Sequence, residues 1–505
     1  MLCLLVLVVH DVGYLLRQPY WTDEAWLAVT TRFPVAQLPA LTASTPIGWS
    51  VLLRLVTFGP GQTGRILPLA FAALAVVPGY LLARRLDWPD RPTAVAAGLL
   101  AAVAVLLVPA MLIRDDLKQY TADACMALVI LAATARLERR WSVGALALLS
   151  AASWAGMLLS HAAAFAGAAG LAAVCLVELA RRRWRRLAGA AVTAAGTAVL
   201  GAVVYVVFDA RAVVPGLHAY WRAYFVPVHD GLGPSARFVL SRFEYVHSRL
   251  GLGPAWLAAA LLVIGLVTLA RRGRPATALA AALLWPEMVI VSAAGKYPFL
   301  DVRTSTFLTT LTTVVAAIGV AGCCAVVRSW LRGGLAGTGV AALLAAAALA
   351  AFVVQAVPFA RGQPIPAESI RQQAQYLAAH PGRDHPVVVA ETASWGFAYY
   401  WPGGPPARAA DVANLQGYVP VFPAQRQIIV ARDQTTFAVR AALATALAQV
   451  RPGSCGQIWL VRQRLSSVGT ARWRAALASL HLRARPGRYG LAVAAAGSCP
   501  ATAGR

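Results

Sequence analysis

Apolar runs long enough to cross a bilayer recur along the first 357 residues of this 505-residue chain. A hydrocarbon core about 30 Å thick takes about 20 helical residues to span, and every backbone polar group inside it must be bonded within the protein. Residues 1–357 are therefore restricted to packed helices. Eleven runs are read as crossings: 1–16, 64–83, 93–113, 120–137, 142–160, 163–180, 187–208, 253–270, 276–294, 304–327 and 335–357. A further run, 46–58, contains Pro46, Gly48 and Arg54. It is too short to cross and is expected to be re-entrant or interfacial.

The distribution of charge orients these spans. The net charge is +25, with only two lysines among the 45 basic residues. A nucleic-acid surface would gather that charge in one patch. Here it falls in short clusters between spans: Arg84, Arg85 and Arg91; Arg136, Arg139 and Arg140; five arginines from Arg181 to Arg186; Arg271, Arg272 and Arg274; Arg328 and Arg332. Every second loop carries such a cluster, which marks those loops as cytoplasmic. The expectation is a multi-pass plasma-membrane protein with its N-terminus inside and residues 358–505 outside. The first span begins at Met1 with no basic stretch before it, and reads as a signal anchor or as a span cut short at its start. Asp23, Glu24, Asp115, Asp116, Asp123, Asp230, Glu244, Asp301, His161 and both lysines, Lys118 and Lys296, all fall on the outer side, whereas the inner loops hold Asp87, Asp90 and Glu138. Chemistry that needs carboxylates belongs to the outer face.

After Pro358 the pattern changes. HPVVVAE, RQIIVARD, GQIWLVRQ and RYGLAVAA read as strands, alternating with helical stretches such as ESIRQQAQYLAAH and FAVRAALATALAQV. That alternation predicts a small α/β domain, 358–505, with a mostly parallel sheet. No G-x-G-x-x-G or P-loop follows a strand. Cys3, Cys125, Cys175, Cys323 and Cys324 lie in or beside apolar runs as packing residues. Cys455 and Cys499 lie in the outer part, where an oxidising compartment permits pairing.

Four stretches hold candidate chemistry. In YWTDEAWLAV, Asp23 and Glu24 stand at the water–lipid boundary; Thr22 or Asp23 caps a short helix, or a partly desolvated carboxylate acts as a general base, and both can hold, since a capped helix fixes the position of the catalytic group. In LIRDDLKQYTADACMAL, Asp116, Tyr120 and Asp123 share one helical face. Asp123 lies inside an apolar run, where an ionisable side chain points to function; against this, Arg114 and Lys118 pairing with Asp115 and Asp116 is an ordinary membrane-edge arrangement. In GKYPFLDVRTSTFL, Lys296 and Arg303 suit a lipid phosphate or simple headgroup anchoring. His161 is a packing or a ligand-facing residue, and Arg65 an anchor or a phosphate contact. The aromatic, Arg-rich loop 209–252 suits an interfacial lid or a plain surface helix. No metal motif is present, although a divalent cation is compatible with clustered carboxylates.

TDEAWLAV, STPIGWSVLLRL, GQTGRILPLAF, RDDLKQYTADACMAL, the Ser160–His161 pair and KYPFLDVR resemble, in that order, the GT-C-fold integral membrane glycosyltransferases. That family includes the protein mannosyltransferases and the bacterial aminoarabinose and Rgt-like sugar transferases. The resemblance covers roughly residues 1–330. It implies a sugar donor on polyprenyl phosphate, transfer at the outer face to a glycan, lipid or protein acceptor, and usually inversion at the anomeric carbon. It maps the family's base onto Asp23, with Glu24 beside it, and the second acidic position onto Asp115 or Asp116. Lys118 and Tyr120 match a KQY-like stretch, and the late basic position is Lys296 or Arg303. The alternatives are a transporter or flippase of lipid-linked glycans, or a non-catalytic protein that binds envelope glycan. Charges crowded on one side favour the enzyme, because transporters place them at the midplane.

Overall fold

The computed structural model describes residues 2–42, 45–57, 61–107, 117–212, 215–331, 334–361, 370–380, 385–402, 408–412, 414, 416–422, 424–450 and 457–496. Seven helices among them are long and apolar enough to cross a membrane, and an eighth candidate is a bent pair, Leu232–Leu250 with Ala255–Arg271, which turns through 101°. The chain is a multi-pass membrane protein. Arg91–Leu106 and Val143–Leu159 are shorter apolar helices at two further expected crossings. The first run is broken into short helices at Asp11, whose backbone is left-handed (φ 43°). Run 46–58 folds as the ten-residue helix Ile47–Val56, half the length a crossing needs.

Water drives no association between helices inside lipid, so close backbone approach and dispersion must do so. Small residues provide that approach. A Cβ on Gly265 would stand 2.0 Å from the carbonyl oxygen of Val315, and one on Gly319 would stand 2.5 Å from that of Leu261. These two glycines lock Ala255–Arg271 against Thr306–Trp330. Exposed apolar side chains such as Val199 and Leu343 lie on Trp184–Val207 and Leu335–Arg361. That surface suits lipid, not water.

The charges separate into two rims. At one, Arg274 pairs with Asp87 (3.3 Å), Arg328 pairs with Asp90, and Arg272 stacks on Trp88. Glu138 accepts from the backbone N–H groups of Ala276 and Thr277 (2.7 and 2.8 Å) and so caps helix Pro275–Ala293. Each of these acids has a structural task. The opposite rim holds Asp23, Lys118, His161, Lys296 and Arg303.

Beyond that second rim lies a mixed sheet. Its strands are β1 (Val387–Val389), β2 (Arg408–Asp411), β3 (Tyr418–Val421), β4 (Ile428–Val430), β5 (Gln457–Val461), β6 (Leu482–Pro486) and β7 (Ala492–Ala496). The order is β4-β1-β5-β7-β6, with β2-β3 as a separate antiparallel pair. β1 pairs in parallel with β4 and β5, but β7 runs antiparallel to both β5 and β6. This corrects the expectation of a mostly parallel sheet. Only residues 487–491 join β6 to β7, too few for the crossover that parallel strands require. Cys455, Cys499 and residues 362–369 lie outside the described residues, and helix Leu335–Arg361 runs past the expected boundary at 357.

The tail does not fold around a private core. Tyr20, Trp26 and Trp49 share one buried cluster with Val388, Trp395 and Trp473. Helix Glu391–Tyr400 lies against helix Thr22–Thr30, and Thr22 donates to the carbonyl of Thr392 (3.0 Å). This sheet layer therefore clamps the loop that carries Asp23. Gly265→Leu should break the helix seam described above. Such overpacking costs roughly 1–3 kcal/mol, so the midpoint of thermal unfolding in detergent should fall by several degrees; an unchanged midpoint contradicts the seam.

Candidate active site

Helix Thr22–Thr30 begins after Trp21, whose backbone is extended, and no side chain caps it from that position. Neither Thr22 nor Asp23 is the cap. Glu24, at the third helical position, instead reaches back and accepts from the Trp21 N–H at 3.2 Å. This is the carboxylate half of a capping box.

The same carboxylate forms a buried pair with Arg65, the two side chains being 0% and 4% exposed. Arg65 donates through Nε to Glu24 Oε1 (2.7 Å) and through Nη2 to Glu24 Oε2. Its remaining N–H groups go to the carbonyls of Leu15, Gln18 (2.8 Å) and Pro19 (3.0 Å). All five guanidinium donors are thus spent inside the protein. Burial pushes the Glu24 carboxyl above its ordinary value, and Arg65 pulls against that shift. The expectation that Arg65 contacts a phosphate does not fit this arrangement. Glu24 and Arg65 hold the loop in place.

Asp23 differs from its neighbour. It is 21% exposed and faces Arg303, with Nη1 and Oδ2 3.5 Å apart. Asp301 fixes the turn that presents Arg303, accepting from the N–H groups of Arg303 (3.0 Å) and Thr304 (3.1 Å). Asp23 and Arg303, 280 residues apart in sequence, therefore meet at one point.

Beside them opens a cavity of about 730 Å³, whose wall includes Lys118, Tyr120, His161, Lys296, Tyr297 and Thr304. Asp23 does not line it. Asp23 stands at its edge, since Arg303 adjoins the lining residue Thr304 and Lys118 lies over the ring of Trp26, 5.4 Å from its centre. The short helix Ile47–Val56 sets Lys118 from below: Trp49 donates to the carbonyl of Leu117 (2.8 Å), and Gly48 lies against the carbonyl of Leu158. Lys296 follows Gly295, whose left-handed backbone (φ 67°) turns the chain into the cavity beside His218.

Asp123 is fully buried and does not line the cavity. Its Oδ1 accepts from the Ala162 N–H (3.4 Å), at the start of helix Ala162–Ala180. It fixes the Ser160–His161 turn, and those two residues face the cavity. His161 stands 3.9 Å from Asp209, whose carboxyl burial raises while His161 opposes that rise. Asp115 and Asp116 lie outside the described residues. Among the described residues, no three His, Cys, Asp or Glu side chains converge as metal ligands.

No protein-family model matches this sequence, and no curated protein matches it. Solved structures do. The chain is similar to ArnT from Cupriavidus metallidurans bound to undecaprenyl phosphate, at 15% identity and a TM-score of 0.53, covering 99% of this chain and 98% of that one. It is also similar to the Archaeoglobus fulgidus oligosaccharyltransferase in complex with Zn and sulfate, at 14% identity and a TM-score of 0.55, covering 98% and 73%. The same organism's AglB, with an inhibitory peptide and a dolichol-phosphate, aligns at 13% identity and 0.53, covering 99% and 74%. The chain has the GT-C fold.

Within that GT-C fold, the loop 209–252, expected as a lid or a surface helix, supplies one side of the cavity, but the residues in it that do so were not singled out from the sequence. Asp209, His218 and Trp221 line it, and the only signal was the aromatic character of residues 209–252. The second half of that loop, Leu232–Leu250, is the amphipathic surface helix of the bent pair.

Removing one member of a buried ion pair costs roughly 3–5 kcal/mol, because the partner is left charged and dry. Glu24→Ala and Arg65→Ala should each destabilise the protein by that much. The double variant Glu24→Ala/Arg65→Ala should lose clearly less than the sum of the two. A double-mutant cycle on thermal unfolding checks this, and additive losses would contradict the pairing.

Proposed function

We propose that this protein is a membrane glycosyltransferase that takes a sugar from a polyprenyl-phosphate donor and passes it to an acceptor outside the plasma membrane. The supporting observation is the cavity at the ends of the spans, with both lysines of the chain on its wall and the Asp23–Arg303 pair at its edge. Solved structures of the same fold hold undecaprenyl phosphate and dolichol-phosphate, and the donor assigned here is of that class. The acceptor is an envelope glycan, a lipid or a protein.

In this reading the lipid tail lies along the apolar wall formed by Phe165, Phe208 and Val204, and the phosphate lies between Lys118 and Lys296. Ammonium groups in a partly dry site stabilise charge far better than they do in water. The acceptor hydroxyl attacks the anomeric carbon, and the new C–O bond forms as the bond to the phosphate oxygen breaks. The hydroxyl proton passes to the Asp23 carboxylate, and the polyprenyl phosphate departs carrying the bond electrons. Arg303 holds Asp23 and, next in sequence to the lining residue Thr304, is placed to share the charge of the departing phosphate. Glu24 and Arg65 act on the reaction only by holding the helix that carries Asp23.

The test uses purified full-length protein in detergent, a polyprenyl-phosphate-linked radiolabelled sugar and an envelope extract as acceptor. Detergent removes the membrane barrier, so label reaches the acceptor only if the protein transfers it, which a flippase does not. Loss of a general base typically costs 10²- to 10⁴-fold. Asp23→Asn should lower transfer by about that range while the unfolding midpoint holds. Lys296→Gln should mainly weaken donor use. Wild-type transfer by Asp23→Asn would remove the assignment.

A further inference from the structure

The rim opposite Asp23 contains a second cavity, of about 590 Å³, and we propose that it is a binding site for an anionic phospholipid headgroup. It opens between the ends of helices Ile66–Arg84 and Tyr120–Arg139 and the start of Val143–Leu159. Helix Tyr120–Arg139 has 20 residues, which at 1.5 Å per residue separates this rim from Tyr120 by about 30 Å, one bilayer core.

Five arginines surround the cavity: Arg85, Arg136, Arg139, Arg140 and Arg274. Arg274 is neutralised by Asp87. The other nearby acid, Glu138, is occupied in capping helix Pro275–Ala293. Among the described residues the side chains of Arg85, Arg136, Arg139 and Arg140 make no ion pair. Four exposed guanidinium groups thus crowd one hollow without a counter-charge. Orientation of the spans requires positive loops, but it does not require a cavity. A phosphodiester supplies the missing anion, and guanidinium forks bind it through paired N–H groups.

The floor of the cavity decides between a lipid and a soluble phosphate. Val77, Leu81, Ala132 and Leu148 form it. Val77 and Leu148 are 43% and 44% exposed, so the apolar wall runs outward onto the surface that faces the acyl chains. A soluble phosphate makes no use of that wall. A glycerophospholipid fits both parts, headgroup on the arginines and chains along Val77 and Leu148. Basic pockets between spans at a membrane rim are suited to such headgroups.

The test is native mass spectrometry of full-length protein, purified and then exposed to phosphatidylglycerol, to phosphatidylcholine, or to phosphatidylglycerol with an excess of glycerol 3-phosphate. The wild type should retain phosphatidylglycerol roughly tenfold better than phosphatidylcholine, and glycerol 3-phosphate should not displace it. Arg136→Gln/Arg139→Gln/Arg140→Gln should lose that preference, whereas Arg181→Gln/Arg185→Gln, at the same rim but off the cavity, should keep it. Leu148→Trp, which fills the wall and leaves every arginine in place, should also lose retention. Equal retention of phosphatidylcholine, a triple variant that binds like wild type, or displacement by glycerol 3-phosphate would each overturn the proposal.

Discussion

Arg65 has five N–H donors, and the protein uses every one. Two go to Glu24 and three to the carbonyls of Leu15, Gln18 and Pro19. A buried guanidinium must be answered in this way or it is too costly to keep. The result ties the end of the first helical run, the start of helix Ile66–Arg84 and the first turn of helix Thr22–Thr30 to one centre. The Tyr20 ring lies 5.1 Å from the guanidinium carbon, and the Tyr20 N–H donates to the Tyr400 hydroxyl at 2.6 Å. The C-terminal sheet layer is thus bonded to the same centre. Asp23 is the next residue to Glu24 on that helix, so its position follows from a pair in which it takes no part.

From this anchoring comes a division of labour between adjacent carboxylates. Glu24 is dry, paired and structural; Asp23 is partly wet and faces Arg303. Asp123 repeats the principle, since it is buried and holds the turn that offers Ser160 and His161 to the cavity. Asp23, Arg303 and the Ser160–His161 pair are each set by a neighbouring carboxylate, Glu24, Asp301 and Asp123 respectively. Such support is what a site needs if its geometry is to survive thermal motion.

Much of this was legible in the sequence, for physical reasons. Spans impose a length that water-soluble helices do not need, so ten of the eleven expected crossings correspond to helices of 16 residues or more, while the first, 1–16, is broken at Asp11. The inadequacy of 46–58 followed from the same ruler. The separation of carboxylates from arginine clusters is a linear pattern that folding carries onto two rims. Pairings between distant segments leave no such trace: Glu24 and Arg65 stand 41 positions apart, and nothing in either stretch names the other. Strand β6 was missed because Leu-Arg-Ala-Arg-Pro reads as a charged loop; it is an edge strand, where charge and Pro are tolerated. The antiparallel turn of β7 depended on that strand. Asp209 and His218 escaped because they sit singly in a loop, and their common cavity exists only in three dimensions.

The account rests on a lipid-borne phosphate held beside Asp23. A density map of the protein with polyprenyl phosphate bound tests it most directly. The account predicts the phosphate between Lys118 and Lys296, the chain along Phe165 and Phe208, and the Asp23 carboxylate facing the place where a sugar would be attached. A phosphate bound at the opposite rim, or at any point from which Asp23 is screened by protein, would contradict it.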